Sequence, residues 1–429
     1  MSNWIVAVTV SLLLTGCSSL KSRPEMAGQQ LNDQAVAGAE IRAGAAPDTG
    51  KPSRYLFAWA GDEDRNDSDF LLVVDVDPAS RTYGEVVATT TTGVRATMPH
   101  HTEYETPAGG TLFVNGWRSS HSFVFDIADP LKPRVAADFK RAGSYHFPHS
   151  FARLPSGNVL ATFQATGDNY APPGALVELD ERGRVVRASP SATPDIPAAI
   201  NWPYSLVVAP AIDRVVTTST DMGVGPEWKS PATSHVQIWR LSNLELLASV
   251  ALPASKEGEH HTYPAEPRLL ADGSVYVNTF TCGLFRIDGL TSAKPTAKFV
   301  HAFPSGPADH DQCAVPLVYG NYWIQSVGAI NGVVVLDVSD PKRPVEVARL
   351  SLPNRFHAPH WLAADRVNGR IAVTGMHDSW LAMLKFDERT GQISVDETFG
   401  ARGGVQFDGP NWSHGATGRA IVHGTVFSR

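Results

Sequence analysis

The stretch PHSFARLPSGNVLAT (residues 148–162) decides the fold, because its pattern returns along most of the chain. A proline is followed by an apolar run, a polar or glycine-containing turn, and a second apolar run. Short β-rich runs at a fixed period indicate a repeat architecture. The same pattern is seen in PHHTEYETPAGGTLFVN (99–115), PYSLVVAPAIDRVVTT (203–218), PAEPRLLADGSVYVNT (264–279), PHWLAADRVNGRIAVT (359–374) and PNWSHGATGRAIVHGT (410–425).

Each unit continues into further strands that end near an aspartate, as in SFVFDIADP (122–130) and VVVLDVSDP (333–341). Several short strands in a unit of roughly 50 residues are typical of a β-propeller blade. The last unit is incomplete, and the spare N-terminal strands of residues 55–78 can complete it. We therefore predict an all-β, seven-bladed propeller over residues 54–429, in which the segment near Ala420–Phe427 shares a blade with the segment near Phe70–Asp75.

Histidine recurs directly after the repeated proline. The innermost strand of each blade lines the central channel, so residues at equivalent positions converge on the axis. Imidazoles from several blades, with a carboxylate nearby, would suit copper, iron or zinc. An ordinary polar lining of the channel is the alternative. The positions that follow the proline, or its equivalent, are His100 and His101, His149, Tyr204 and Ser205, Ala265 and Glu266, Gln312, His360, and Asn411 with His414.

Some histidines stand apart from this register. His261 and His310 precede matching positions and could reach the channel from a loop, so they are secondary metal-ligand candidates together with His360. We expect five further histidines to lie on outer strands or loops without a role: His121, His235, His301, His377 and His423.

The N-terminus has the pattern of a lipoprotein signal. WIVAVTVSLLLTGCSSL (4–20) is a short apolar run in which Leu14-Thr15-Gly16-Cys17 resembles a bacterial lipobox. We predict a signal peptide over 1–17, lipidation of Cys17, and a flexible tether over 18–53 that is rich in Ser, Ala, Gly and Gln. No Asp follows Cys17, which by resemblance to Gram-negative lipoproteins favours a periplasmic protein on the outer rather than the inner membrane. An ordinary secretory signal is the alternative.

Bulk properties exclude several functions. The net charge is −7 and no block of Lys or Arg stands out, so nucleic acid is not an expected partner. We find no Ser-His-Asp order, phosphate loop or pair of glycosidase carboxylates. Cys282 and Cys313 remain after Cys17, and they could form a disulfide in an oxidising compartment or stay as two buried thiols.

Several segments together resemble the selenium-binding protein family, which includes the bacterial methanethiol oxidases. The resemblance covers about residues 55–429 and agrees in order and spacing. It is carried by FLLVVDVDPASRTYGEVVATTTTGVRATMPHH (70–101), PHSFARLPSG (148–157), SHVQIWRLSNLELLASVAL (234–252), YPAEPRLL (263–270) and GPNWSHG (409–415).

The resemblance implies a seven-bladed propeller and, for the oxidases, copper. The metal ligands that it implies are His100, His101, His149 and His414, and Glu266 and Arg268 match family residues that could support the site or hold the channel. The sequence also departs from the family. The segment TEYETPAGGTLF (102–113) lacks the family's cysteine loop, which puts selenium binding in doubt, and Ala152 replaces a family histidine.

Three functions follow as hypotheses. The first is a copper oxidoreductase that acts on a small thiol, such as methanethiol, or a related sulfur compound with O2. The second is a non-catalytic propeller that binds selenium or a metal. The third is a non-haem iron oxygenase, since imidazoles from separate blades also suit Fe(II). Metal analysis of the purified protein separates them.

Overall fold

The computed structural model describes residues 52–107, 109–223, 232–256, 259–306, 313–352, 356, 358–401, 403–409, 411–416 and 418–429. The predicted signal peptide, Cys17, nearly all of the predicted tether, Gln312 and His310 lie outside these residues. In the part of the chain that the structure describes, no helix is long and apolar enough to cross a membrane.

The strands form seven antiparallel sheets, each one blade. Blade 1 contains β1 (Tyr55–Asp62), β2 (Ser68–Asp75), β3 (Val86–Arg95) and the last strand of the chain, β30 (Ala420–Phe427). Blade 2 contains β4 (Pro99–Thr102), β5 (Thr111–Gly116), β6 (His121–Asp126) and β7 (Arg134–Phe139). Blade 3 contains β8 (Arg141–Ala142), β9 (Tyr145–Arg153), β10 (Val159–Thr166), β11 (Ala175–Leu179) and β12 (Val185–Pro190).

The remaining blades follow the same order. Blade 4 contains β13 (Pro203–Ala209), β14 (Arg214–Ser219), β15 (His235–Arg240) and β16 (Leu246–Ala251). Blade 5 contains β17 (Pro264–Leu269), β18 (Val275–Thr279), β19 (Gly283–Asp288) and β20 (Thr296–Ala302). Blade 6 contains β21 (Leu317–Tyr319), β22 (Tyr322–Val327), β23 (Gly332–Asp337) and β24 (Val345–Ser351). Blade 7 contains β25 (Pro359–Asp365), β26 (Arg370–Gly375), β27 (Trp380–Asp387), β28 (Gln392–Val395) and β29 (Gly404–Gln406). Among the described residues there are also three 3₁₀ turns: Ala198–Ile200, Pro210–Ile212 and Gly328–Ile330.

The chain ends close the ring, as predicted. Blade 1 has the order β3-β2-β1-β30, so β30 shares a sheet with the Phe70–Asp75 segment. The innermost strands are β30, β4, β9, β13, β17, β21 and β25, which run around the channel in that order. Closure pairs β1 on both sides, with β2 and with β30. The seven-bladed all-β fold is thus confirmed.

Each inner strand carries one extra residue relative to the strand beside it. In blade 2, Pro99 pairs with Gly116 and Thr102 pairs with Val114, so the two histidines between them face the single residue Asn115. Equivalent register shifts occur in blades 1, 3, 4, 5 and 7, and the bridge from Cys313 to Val327 gives the same offset in blade 6. A β-bulge re-aims side chains, and here it does so at one level of the channel in every blade.

The core lies between blades, where apolar faces of neighbouring sheets pack together. Trp59 of blade 1 lies 5.6 Å from Phe123 and 5.9 Å from Phe125 of blade 2, centroid to centroid. Trp323 of blade 6 packs at 5.6 Å on Tyr276 of blade 5. Central strands such as β5 and β22 are buried on both faces, and because successive side chains point to opposite faces, each strand packs on both neighbouring blades.

Cys282 and Cys313 form a disulfide, which settles the alternatives that the sequence left open. Cys313 occupies the position at which blades 2, 3, 4, 5 and 7 have a proline, so the bond joins the start of the inner strand of blade 6 to blade 5. Chain closure over 31 residues restricts the unfolded chain.

Candidate metal centre

Five histidines from four neighbouring blades meet at the level of the bulges. His360 of blade 7, His423 of blade 1, His100 of blade 2 and His149 of blade 3 are each the first residue after the pairing position that Pro99 defines. His101 is the second bulge residue of blade 2. In the other blades the equivalent first positions hold Tyr204, Ala265 and Ala314.

The five rings form one compact cluster. The ring centroids of His100 and His101 lie 4.3 Å apart, and that of His423 lies 4.2 Å from His100 and 4.3 Å from His360. The His149 ring lies 4.3 Å from that of His101. Two triads have ligand nitrogens within 4.8 Å of one another: His100, His101 and His149, and His101, His360 and His423.

Glycine allows blade 1 to approach this closely. Gly424 follows His423, and a Cβ there would lie 2.6 Å from the backbone nitrogen of Thr102 and 2.8 Å from the carbonyl oxygen of His100. Those distances are too short for any side chain, so a larger residue would push β30 away from the histidine pair.

Several imidazole nitrogens of the cluster lack a hydrogen-bond partner although they are buried. They are Nδ1 of His100, Nε2 of His101, Nε2 of His360 and both nitrogens of His423. Two more face each other, since Nε2 of His100 and Nε2 of His149 lie 3.0 Å apart. Nitrogens bound to one ion at about 2.0–2.1 Å come about this close together. Because buried polar atoms are normally paired, this arrangement fits a metal ion.

The other nitrogens hold the ligand rings in place. Ser150 lies with its Oγ 3.0 Å from Nδ1 of His101 and 3.0 Å from Nδ1 of His149. Hydrogen bonding at one ring nitrogen fixes the tautomer and leaves the other nitrogen for a metal. Ser150 therefore orients two ligand candidates at once.

Burial keeps the cluster uncharged. It lowers the pKa of His149 to about 3 and that of His360 to about 3. The pKa values of the other three, His100, His101 and His423, lie well below the usual range, first because of burial and then because of the neighbouring histidines. Neutral imidazoles bind metals directly, so no proton has to leave first.

The structure brings four predicted residues together and separates one. His100, His101, His149 and the secondary candidate His360 lie in the cluster, but His414 does not. Nδ1 of His414 lies 2.8 Å from Oγ1 of Thr89 on β3, and its ring packs at 4.4 Å on Phe70 of β2. The expectation that His414 shares the centre is wrong, because the inner strand of blade 1 begins at Ala420, beyond the turn that contains His414.

The missed residue is His423, which the sequence analysis left without a role. The sequence alone held no signal for His423, because only the pairing of Val422 with Ala60, just before the bulge, makes Val422 the position equivalent to Pro99. His261 is also outside the cluster, with Nδ1 2.9 Å from the carbonyl oxygen of Thr281 and its ring stacked on Phe299. In blade 6 the equivalent position belongs to Ala314 and not to Gln312.

A second polar group surrounds Glu266, which with Ser205 holds the second bulge position of blades 5 and 4. Oε2 of the fully buried Glu266 accepts hydrogen bonds from Tyr104 at 2.5 Å, Ser205 at 2.7 Å and Arg268 at 2.8 Å, whereas its Oε1 has no partner. The guanidinium of Arg268 lies 4.2 Å above the Tyr104 ring, which stacks on Trp361 at 5.1 Å. Burial, with the Glu266 charge, raises the pKa of Tyr104.

Comparison with known proteins finds related sequences and structures with a similar fold. No protein-family model matches the chain. A methanethiol oxidase from a Hyphomicrobium species is 26% identical over 222 residues, which is 47% of this chain and 49% of that protein. A methanethiol oxidase from Ruegeria pomeroyi is 27% identical over 165 residues, 37% of this chain and 36% of that protein. The matches thus span half or less of these curated relatives.

Solved structures give the fold. A selenium-binding protein from Sulfolobus tokodaii superposes with a TM-score of 0.70 at 17% identity, covering 88% of this chain and 94% of that one. The periplasmic gluconolactonase of Pseudomonas aeruginosa gives 0.60 at 14% identity, covering 87% and 99%. Different activities thus occur on the same propeller.

The two C-terminal histidines allow a direct test of the ligand set. His423→Ala removes a cluster nitrogen and should lower bound metal by at least tenfold, because removing a ligand weakens the site. His414→Ala is the matched control and should keep the wild-type metal content. Metal per protein is measured by elemental mass spectrometry after loading and dialysis. Retention by His423→Ala with loss in His414→Ala would contradict this geometry.

The buried imidazoles should make the metal-free protein sensitive to acid. Between pH 6.5 and about 3 the unfolded chain protonates His149 while the folded protein does not, so stability is highest above pH 6.5 and falls as the pH drops. From pH 7 to 5 this one residue accounts for up to about 2 kcal/mol. Denaturant unfolding at both pH values should show a smaller loss in His149→Gln than in wild type or in His260→Gln, whose histidine is exposed. An unchanged loss in His149→Gln would refute the assignment.

Proposed function

We propose that the chain is a divergent member of the selenium-binding protein and methanethiol oxidase family, and that it is a copper-dependent oxidoreductase acting on a small thiol or a related sulfur compound with O2. The printed activity of the two relatives and the histidine cluster support the proposal. The observation that carries it is the set of buried, neutral imidazole nitrogens without protein partners.

The chemistry of the donors favours copper. All donors in the cluster are imidazole nitrogens, which suit copper, zinc and iron, and they come from four rigid inner strands. No carboxylate of the described residues belongs to either histidine triad, and Oε2 of the buried Glu266 is already bonded to three side chains. An iron oxygenase site commonly includes a carboxylate ligand, so the all-nitrogen set supports copper over iron.

A copper ion held there supplies one-electron chemistry with O2 and favours the thiolate form of a bound thiol. For a thiol R-CH2-SH the balanced reaction takes O2 and water and yields the aldehyde R-CHO, H2S and H2O2. The carbon loses two electrons, and O2 gains them.

The chain's own residues would bind, orient and exchange protons. Ser150 holds two imidazoles by their Nδ1 atoms, which keeps the Nε2 atoms directed to one point. Oε1 of Glu266 is available to accept a proton, while Tyr104, Ser205 and Arg268 fix the rest of that carboxylate. The apolar rings of Trp361 and Tyr204 exclude water around the cluster, at 4.9 Å from His101 and 3.8 Å from His149.

A non-catalytic propeller that binds a metal or selenium is the second candidate. The metal part of this candidate uses the same cluster. The selenium part is disfavoured by the segment 102–113, which has no cysteine. A measurement of thiol oxidation therefore distinguishes the oxidoreductase from the binding propeller.

Copper loading followed by a thiol assay tests the proposal. We expect about one copper per chain, O2 uptake with methanethiol, and release of peroxide and sulfide. His149→Ala should lose the copper and at least 99% of the turnover while it keeps the wild-type circular dichroism spectrum, whereas His414→Ala should keep both. Stoichiometric copper without turnover would favour the binding module, and stoichiometric iron after mixed loading would favour an oxygenase.

A periplasmic location with a lipid anchor completes the proposal. The lipobox-like Leu14-Thr15-Gly16-Cys17 supports the anchor, and the Cys282–Cys313 disulfide is typical of an oxidising compartment. Outer-membrane attachment follows from the residue after Cys17, which is not Asp.

Cys17→Ala should release the protein from the membrane fraction, because the lipid chain could no longer be attached. Cell fractionation with immunodetection measures this, and Cys282→Ser serves as the control that keeps the lipobox. An unchanged membrane fraction in Cys17→Ala would contradict the anchor.

A further inference from the structure

One mouth of the channel is covered by aromatic and methionine side chains from blades 2 to 4. Each residue there either directly precedes the proline of an inner strand or follows a second strand, so all of them lie at the same end of the channel. We call this group the collar. Its members are Met98, Trp117, Phe147, Tyr170, Trp202 and Met222.

The collar rests directly on the histidine cluster. The Trp117 ring lies 5.6 Å from that of His149 and 6.5 Å from that of His100. It also packs at 5.7 Å on Phe147 and at 5.6 Å on Tyr170, which stacks on Trp202 at 4.5 Å. A molecule that reaches His149 from this end must therefore pass between these side chains.

The backbone directs two collar residues towards the mouth at an energetic cost. Met98 has φ 60° and Phe147 has φ 58°, in the left-handed region that residues with a Cβ avoid. Both directly precede the proline of their inner strand, and Tyr263 of blade 5 has φ 60° at the equivalent position. Strain of this kind, of order 1–3 kcal/mol per residue, is found at sites where side-chain placement matters.

The collar is held mainly by apolar contacts, unlike the opposite end of the channel. Its polar anchor is the Tyr170 hydroxyl, which donates to Gln164 at 2.6 Å and lies 2.9 Å from Asp221. The other end carries the buried ion pair of Glu266 and Arg268. Flexible methionines and dispersion contacts can rearrange around a small apolar guest, whereas a hydrogen-bonded ion pair resists it.

We propose that the collar is the entrance to the histidine cluster, that it admits small uncharged molecules with an aliphatic body, and that Trp117 and Trp202 set the upper limit to their size. For the proposed reaction, on which the substrate class rests, this means short uncharged thiols rather than charged ones. One extra methylene against a fixed apolar wall changes kcat/KM by about 10–200-fold.

The first test needs no turnover. Metal-free protein is treated with diethyl pyrocarbonate, a small neutral reagent that modifies accessible imidazoles, and modification of His100 and His149 is followed by peptide mass spectrometry. Trp117→Ala and Trp202→Ala should accelerate it at least tenfold. Trp412→Ala should not, because Trp412 packs on Phe70 in the outer strands of blade 1. Acceleration by Arg268→Ala instead would place the entrance at the opposite end and overturn the proposal.

The second test uses the copper-loaded protein. The ratio of kcat/KM for butanethiol to that for methanethiol should rise at least tenfold in Trp202→Ala, with no such rise in Trp412→Ala, and 2-mercaptoethanesulfonate should stay a poor substrate in both. An unchanged ratio overturns the size limit. If the wild type oxidises no thiol, the proposed reaction fails, and the modification experiment still decides whether the collar is the entrance. Melting temperatures show whether each variant is folded. If Trp202→Ala is not folded, Trp117→Ala is tested in its place, and the reverse holds for Trp117→Ala.

Discussion

The extra residue in each inner strand is the constraint on which both ring and site depend. It leaves a backbone N–H at the bulge without a ladder partner, and a buried N–H must be paired. A polar side chain on the second strand supplies the partner and reaches on to the next blade. Asn115 accepts from the His101 N–H at 2.7 Å and donates to the carbonyl oxygen of Pro148 at 2.7 Å. Thr218 does the same between Ser205 and Ala265, and Asn278 between Glu266 and Cys313.

The same bonds that join the blades therefore set the level of the functional side chains. Each bulge places its first residue at this level, and blade 2 adds its second, His101. The backbone at the bulge is fixed from two sides, so imidazoles on different blades meet without the adjustment of a loop. Rigid placement of ligands matters because a displacement of about 1 Å is large compared with a metal–nitrogen bond. Burial, and after it the closeness of the other histidines, lowers the pKa of these imidazoles and leaves their lone pairs for a ligand.

The sequence predicted the seven blades, the closing strand pair and four of the five clustered histidines, because proline marks the bulge in five blades. It failed where proline does not mark the bulge. In blade 1 the position equivalent to the proline is held by Val422. The prediction instead followed Pro410, and the likeness of GPNWSHG to a family motif also pointed to His414. In blade 6 Cys313 takes the marker position. Strand pairing across some 360 residues of sequence, between Ala60 and Val422, fixes the register in blade 1, and no local pattern contains it.

The asymmetry of the ring gives the site two sides. Histidines occupy the first bulge position in the consecutive blades 7, 1, 2 and 3, whereas blades 4, 5 and 6 present Tyr204, Ala265 and Ala314. A ligand bound by the imidazoles is thus held off the axis. On the other side of the ring, Glu266 lies one position after Ala265 on its strand. Its charge is balanced by Arg268, and its Oε1 is unpaired. A buried charge is costly unless it is paired. Because Arg268 pairs with the Glu266 carboxylate, this group can lie beside the neutral cluster, and the unpaired Oε1 can still accept a proton.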